Sequence, residues 1–140
     1  MTTEQNKALA RRFLEASVAG DQAAFMDLLA PDFVAHLAAG PQDREAFVQH
    51  NNVFGQAFTD KHFTLKDLIA EGDKVVARAT WRAAHTGEFR GLPPTGKQIA
   101  ISAFIIDRVK DGKIAEHWSL FDQMSMMQQL GIVPSPQTTK

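Results

Sequence analysis

The chain is notable first for two absences: its 140 residues include no cysteine and no tyrosine. Without cysteine there is no disulfide, no thiolate nucleophile and no cysteine metal site. Without tyrosine there is no phenol to act as an acid, so proton chemistry must use Asp, Glu, His, Lys or water. The formal net charge of −1 gives no electrostatic argument for binding nucleic acid or an anionic membrane.

Long apolar segments are absent as well. No run approaches the ~18 apolar residues that a membrane span needs. The N-terminal residues 1–7 are polar, with no apolar signal core behind them. We therefore expect a cytoplasmic protein with no membrane partner.

Metal and nucleotide motifs are also missing. The five histidines show no H-x-H or H-x-x-x-H spacing, and none has a carboxylate at a recognised ligand spacing. Gly96 and Lys97 lie in a loop between predicted strands with no helix after it, so they do not form a phosphate-binding loop. None of the serines lies in a nucleophile elbow. The sequence therefore gives no motif for binding a metal ion or a nucleotide.

The composition is that of one globular domain over residues 1–140, with an ordered core at about 4–133. Apolar spacing predicts helices and a strand in the first half: helices over 4–19, 21–30 and 43–57, and a short strand over 32–37. Thr3, Asp21 and Asp43 are the expected N-caps. Pro31 is expected to end the second helix, and 38–41 to break the strand.

The second half of the chain predicts long strands, because apolar and polar residues alternate over Phe63–Ile69, Val75–Ala84, Gln98–Lys110 and Lys113–Phe121. Asp111 and Gly112 form the tight turn between the last two, and a short helix follows over 122–130. Helices come early and strands late, so the fold class is α+β. The long strands predict a strongly curved, mixed or antiparallel sheet wrapped by three N-terminal helices, which leaves a cone-shaped cavity open at one end.

One carboxylate lies among apolar residues near the end of the chain. Asp122 follows Trp118 and Phe121 and precedes a group of methionines. An Asp there is either the N-cap of the last helix, bonded to the amide of Met124 or Ser125, or a base whose pKa is raised by apolar surroundings. The residues alone favour the cap.

Two late motifs resemble the SnoaL-like polyketide cyclase family. The first is the Gly/Pro-rich loop His85–Lys97. The second runs from Asp111 through the Glu116-His117-Trp118 triplet and Asp122 to Gln129-Leu130-Gly131. The helix-Gly-Asp-helix-Pro-Asp pattern over 6–32 is more loosely similar, and the likeness covers about residues 5–134.

This resemblance implies a nuclear transport factor 2-like (cystatin-like) α+β cone, and a homodimer formed through the outer face of the sheet. It also implies an enzyme without cofactors that deprotonates carbon next to a carbonyl and closes a ring by intramolecular aldol condensation. The general base implied by the family is Asp122. Ketosteroid isomerases, scytalone dehydratase and epoxide hydrolases share the fold, as do non-enzymatic domains, so fold alone does not decide function.

Three histidines are candidates to assist Asp122. His117 and Trp118 are adjacent in a strand, so only one should line the cavity unless the strand is bulged. His85 begins the Gly/Pro loop at the expected cavity mouth, where it could polarise a carbonyl. His36 lies on the opposite face of its strand from Phe33 and could also point inward. A surface or satisfied core position is the commoner reading for His36, and an exposed position for His85, while for His117 an outer-face or interface position is an equal reading.

The expected ligand is a small hydrophobic compound that contains a carbonyl group. Side chains that could bind it, or else belong to the ordinary core, are His36, Trp118, Phe54, Phe58, Trp81, Phe104, Met124 and Met127. A lyase, isomerase or hydrolase of the same fold is one alternative function, and a non-catalytic ligand-binding or dimerisation module is another. An open pocket with a buried Asp122 would favour the enzyme, and a filled cone with an exposed Asp122 would favour the module.

Overall fold

A computed structural model describes residues 2–132, and it contains four helices and six strands in that range. In chain order they are α1 (Thr3–Ala19), α2 (Gln22–Asp27), β1 (Leu29–Leu37), β2 (Gly40–Asp43), α3 (Arg44–Gln56), β3 (Phe58–Glu71), β4 (Lys74–His85), β5 (Gln98–Lys110), β6 (Lys113–Phe121) and α4 (Gln123–Leu130). The tail predicted after Gly131, with its two prolines, lies outside the described residues except for Ile132. No helix within residues 2–132 is both long and apolar enough to cross a membrane.

The first three helices begin at polar caps, as their sequences require. Thr2, rather than Thr3, caps α1, and it forms a capping box with Gln5. The side chains of Asp21 and Asp43 accept the amide N–H groups of the third residue along, so both predicted caps are confirmed.

The segment after α2 corrects the sequence prediction. The helix ends at Asp27, and Pro31 lies inside β1 instead of ending a helix. The reason is tertiary: the carbonyl of Leu28 accepts the amide of Ile114, which draws this segment alongside β6. Pro31 is tolerated because the β1–β6 pairing is irregular between Leu29 and Val34. Gly40 and Pro41, which were expected to be part of a break over 38–41, begin the edge strand β2.

The sheet is mixed, curved and not closed, with strand order β2-β1-β6-β5-β4-β3. Only β1 and β6 pair in parallel. Asp111 and Gly112 both have positive φ, at 52° and 74°, as a two-residue hairpin turn needs. The bounds predicted for β5 and β6 are those observed.

Three single-residue bulges interrupt the regular alternation of the sheet, and two of them lie in β3. The first lies between Thr59 and His62, where Asp60 has a φ of 53°, and the second between Leu65 and Asp67. The first bulge lets Phe58 and Lys61 both face the concave side, although residues three apart face opposite sides in a regular strand. In β6 the extra residue lies between Ile114 and Glu116.

The concave face of the sheet and the helices enclose two large apolar clusters and a smaller one made of Leu14, Ala77 and Ile105. Of the two large clusters, one surrounds α1, α2 and the start of α3, and the other lies under α4 and the loop 85–97. The side-chain amide of Gln129 bonds to both the N–H and the carbonyl of Ala100, which fixes α4 against the part of β5 that β6 does not reach. The α+β cone predicted by the sequence is therefore observed.

Candidate active site

A cavity of about 250 Å³ lies between the two large apolar clusters and is partly open to solvent. Helices α1 and α3 form one wall, and the concave face of the sheet forms the other. Its aromatic lining consists of Phe13, Phe25, Phe47, Phe54, Phe63, Trp81 and Phe121. The cone is thus not filled by its own side chains, and the lining is that of a small-molecule site.

The deepest polar group in this lining is His117, which is only 4% exposed. Its Nδ1 lies 2.6 Å from Oδ1 of Asp107, a side chain that is 1% exposed and stands directly opposite on β5. With Asp107 ionised, its carboxylate can only accept, so Nδ1 of His117 would donate and a neutral imidazole would keep a free lone pair at Nε2. The rings of Phe13 and Phe47, at 5.3 and 5.1 Å between centroids, hold the imidazole in place.

The bulge in β6 explains why His117 faces inward. Ile114 belongs to the buried cluster at the same end of the sheet, and His117 is three residues further on. A regular strand would turn one of the two outward, but the extra residue at Ala115 lets both face the concave side of the sheet. Hairpin register and bulge together place His117 opposite Asp107.

Asp122 does not lie in the cavity, so the expectation of a carboxylate in apolar surroundings is wrong for this residue. Its side chain is exposed and accepts the amide of Ser125 at 3.0 Å, as the N-cap of α4. The neighbours Phe121 and Gln123 do line the cavity. The sequence-based preference for a helix cap describes the geometry better than the family-based role of general base.

His85 is also misplaced by the sequence prediction, because it is completely buried and does not line the cavity. Its Nδ1 accepts the amide of Thr95 and contacts the Thr95 hydroxyl at 2.9 Å. The rings of Phe58 and Phe89 pack against it. Its role in the structure is to hold the loop 85–97 closed.

His36 and Trp118 lie on the outer face of the sheet, which corrects their assignment to the cavity. Their rings stack at 5.1 Å, and Nε2 of His36 lies 2.6 Å from a carboxylate oxygen of Glu116. Arg108 donates to the other oxygen of Glu116. Hydrogen bonds from His36 and then from Arg108 lower the pKa of Glu116 below its ordinary value. The prediction that His117 and Trp118 face opposite sides is confirmed.

Of the remaining candidates for ligand binding, some line the cavity and others do not. Phe54 and Trp81 line the cavity. Phe58 is buried behind them, while Met127 is half-buried outside the lining. Phe104 and Met124 are more than half exposed, because Phe104 lies on the outer face of β5 and Met124 in the first turn of α4. None of these four can contact a ligand in the cavity without rearrangement.

The outer part of the cavity carries cationic side chains. Lys61 comes from the bulged part of β3 and donates to the carbonyl of Gly55, while Arg90 comes from the loop 85–97 and lies over the ring of Phe89. His50, on α3, lines the same region. Burial lowers the pKa of His50, and the positive charge of Arg90 lowers it further. Within residues 2–132, no group of three or more His, Asp or Glu side chains is arranged to hold a metal ion.

Sequence reasoning missed Asp107, although the signal was present. Ile99, Ile101, Ala103 and Ile105 alternate on the buried face of β5, and Asp107 continues that series. A carboxylate on the apolar face of a strand needs a partner. The direct cross-strand neighbour is His117.

Comparison with known proteins shows which proteins this chain is similar to. Aklanonic acid methyl ester cyclase DnrD of Streptomyces peucetius is 30% identical over 131 residues, covering 88% of each chain. IdmH of Streptomyces antibioticus, described as a candidate polyketide cyclase, is 34% identical with a TM-score of 0.81, covering 91% of this chain and 99% of its own. AclR of Streptomyces galilaeus, described as a candidate hydroxylase, is 28% identical with a TM-score of 0.89, covering 97% of this chain and 87% of its own.

The SnoaL-like polyketide cyclase model matches residues 7–130, which include the whole sheet, all of the helices except the first four residues of α1, and all the residues that line the cavity. The named cyclases among the relatives indicate a cyclase-like enzyme. The chain belongs to the SnoaL-like polyketide cyclase family.

Proposed function

We propose that the protein is a cofactor-independent cyclase in which His117, not Asp122, is the general base. The observation that carries this proposal is the buried His117–Asp107 pair at the apolar end of an open cavity. Nε2 of His117 takes a proton from carbon next to a carbonyl. Asp107 orients the ring and stabilises the imidazolium that forms.

The chemistry closes a ring without any external reagent. The electron pair left by the proton forms an enolate, and its carbon attacks a ketone in the same molecule to make one C–C bond. The imidazolium then returns its proton to the new alkoxide oxygen. Substrate and product of this aldol step are isomers, so the balance needs neither oxidant nor metal.

The relatives suggest the kind of substrate. DnrD is named for a methyl ester, and a carbon between a ketone and an ester is acidic enough for one imidazole to deprotonate. The cavity of about 250 Å³ is slightly smaller than the range of roughly 300–1,000 Å³ typical of ligand pockets. We therefore propose a compact keto ester of one or two rings as the substrate.

A non-catalytic binding module, the alternative function, predicts a filled cone and an exposed Asp122. Asp122 is exposed, but the cone is open. A buried histidine–carboxylate pair facing that opening supplies the proton acceptor that Asp122 does not. The enzyme therefore remains the better supported function.

The test uses a synthetic probe of suitable size: a benzene ring that carries a β-keto methyl ester and, on the adjacent carbon, an acetonyl group. Its aldol closure, followed by loss of water, gives a fluorescent naphthol ester. We expect His117→Gln to lower kcat/KM by about 10²-fold or more, the usual contribution of a general base. Asp122→Ala should keep its turnover while losing about 1 kcal/mol of stability with the helix cap.

Two results would count against this assignment. One is full turnover by a folded His117→Gln protein. The other is a loss of turnover confined to Asp122→Ala. No turnover of the probe by the wild-type protein would favour the binding module.

A further inference from the structure

The charged and titratable side chains that line the cavity are all basic. They are Lys61, Arg90, His50 and His117, and no Asp or Glu from the described residues is among them. The whole chain has 16 acidic residues against 15 lysines and arginines. The basic lining is therefore a local property of the cavity and not a reflection of the overall composition.

Lys61 is incompletely partnered. Its ammonium has three N–H groups, and the one acceptor found for it among residues 2–132 is the carbonyl of Gly55 at 3.3 Å. Asp21 lines a smaller cleft that also includes Lys61, but the two form no ion pair. Burial lowers the pKa of Lys61. A carboxylate beside the ammonium group would act in the opposite direction, because it favours the charged form.

Arg90 is available in the same region. Its guanidinium lies 4.9 Å from the centroid of Phe89 and has no carboxylate partner within the described residues. After the larger effect of burial, its positive charge also lowers the pKa of His50, another residue of the lining. A planar guanidinium over an aromatic ring keeps its N–H groups free to bind a carboxylate.

Helix α3 shows how far this region lies from the catalytic pair. The ring of Phe47 packs on His117, and the carbonyl of Gly55 accepts from Lys61. Eight residues separate Phe47 from Gly55 in one helix, which corresponds to about 12 Å. The cationic region and the base are therefore at different ends of one cavity.

We propose that the substrate is an anion whose carboxylate is held by Lys61 and Arg90, remote from the carbon that reacts at His117. Only the part of this inference that places the reacting carbon at His117 rests on the proposed function. The substrate class becomes a keto ester that also carries a free carboxylic acid about one or two rings away. A fully neutral ester would leave both cations without a partner.

Binding can be tested without turnover, using β-naphthoate and its neutral analogue β-naphthamide in isothermal titration calorimetry. We expect wild-type protein to bind the naphthoate at least about tenfold more tightly, as one partly desolvated ion pair allows. Lys61→Met and Arg90→Met should each reduce this preference, and the double variant should abolish it. Lys66→Met, an exposed lysine on the same strand that does not line the cavity, is the matched control and should keep it.

Equal binding of the two probes, a preference that survives in the double variant, or no measurable binding of naphthoate would each overturn the proposal. The His117→Gln protein separates this result from the proposed function. If it loses turnover while wild-type protein shows no preference for the anion, the result supports His117 as the base and refutes the carboxylate site. If it keeps turnover and the preference depends on Lys61 and Arg90, the result supports the carboxylate site and refutes His117 as the base.

Discussion

Replacing Asp107 by Asn tests the proposed mechanism most directly, because it changes one atom type and almost no volume. Asp107 does not line the cavity, so it cannot touch a substrate there. It acts through His117, whose Nδ1 it holds at 2.6 Å. An asparagine can donate to Nδ1 as well as accept from it, which would put the ring proton on Nε2 and remove the base.

The size of the effect follows from the charge that is lost. When His117 takes a proton, the imidazolium faces a carboxylate at a charge separation of roughly 4 Å, worth about 4 kcal/mol at an effective dielectric constant near 20. At about 1.4 kcal/mol per factor of ten, this corresponds to a decrease in kcat of roughly 10³-fold. Stability should fall by only about 1–2 kcal/mol, since a neutral hydrogen bond replaces a charge-assisted one.

The assay is steady-state turnover of the aryl keto ester probe, with urea unfolding of the same samples. We expect kcat to decrease while KM stays nearly constant, because the lining of the cavity is unchanged. Asp67→Asn, which removes a carboxylate from an exposed pair with Arg78, is the matched control and should leave kcat unchanged. A loss in kcat of less than tenfold in the folded Asp107→Asn protein, or an effect on KM alone, would refute the role given to the pair.

Two further predictions concern the outer face of the sheet. The lowered pKa of Glu116 means that its bonds to His36 and Arg108 stabilise the fold above the ordinary glutamate pKa of about 4.3 and are lost as the pH falls below it. The Tm of wild-type protein should therefore fall more steeply below about pH 5 than the Tm of Glu116→Gln. Parallel curves of Tm against pH would contradict this. Phe104 and Leu120 are 54% and 70% exposed side by side, and we expect Phe104→Glu to convert a homodimer into a monomer in sedimentation velocity; a monomeric wild-type protein would contradict the expected dimer.

The local signals in the sequence predicted those parts of the fold that local chemistry controls. The turn at Asp111 and Gly112 and the caps at Asp21 and Asp43 depend on a few adjacent residues, and they were placed correctly. Pro31 was misread because its position depends on a parallel pairing with β6, more than eighty residues away. No local pattern records such a pairing.

The candidate site was predictable to a smaller extent. The alternation in β5 contains the information that Asp107 is buried, but the position of His117 depends on a bulge at Ala115, where no glycine indicates one. His85 was misplaced because the loop 85–97 folds back over it through Thr95. For Asp122, the capping preference read from the sequence agrees with the geometry, whereas the family resemblance had favoured the role of general base.

The first bulge in β3 also makes chain length a determinant of the charge in the cavity. Deleting Asp60 and deleting His62 would give strands of the same length, and each deletion would leave a regular ladder from Phe58 as far as Leu65, with Phe58 and Phe63 still inward. The first deletion keeps Lys61 between them on the concave side. The second turns Lys61 outward and brings Asp60 in. The choice of which single residue is lost would therefore decide whether this end of the cavity attracts an anion or repels it.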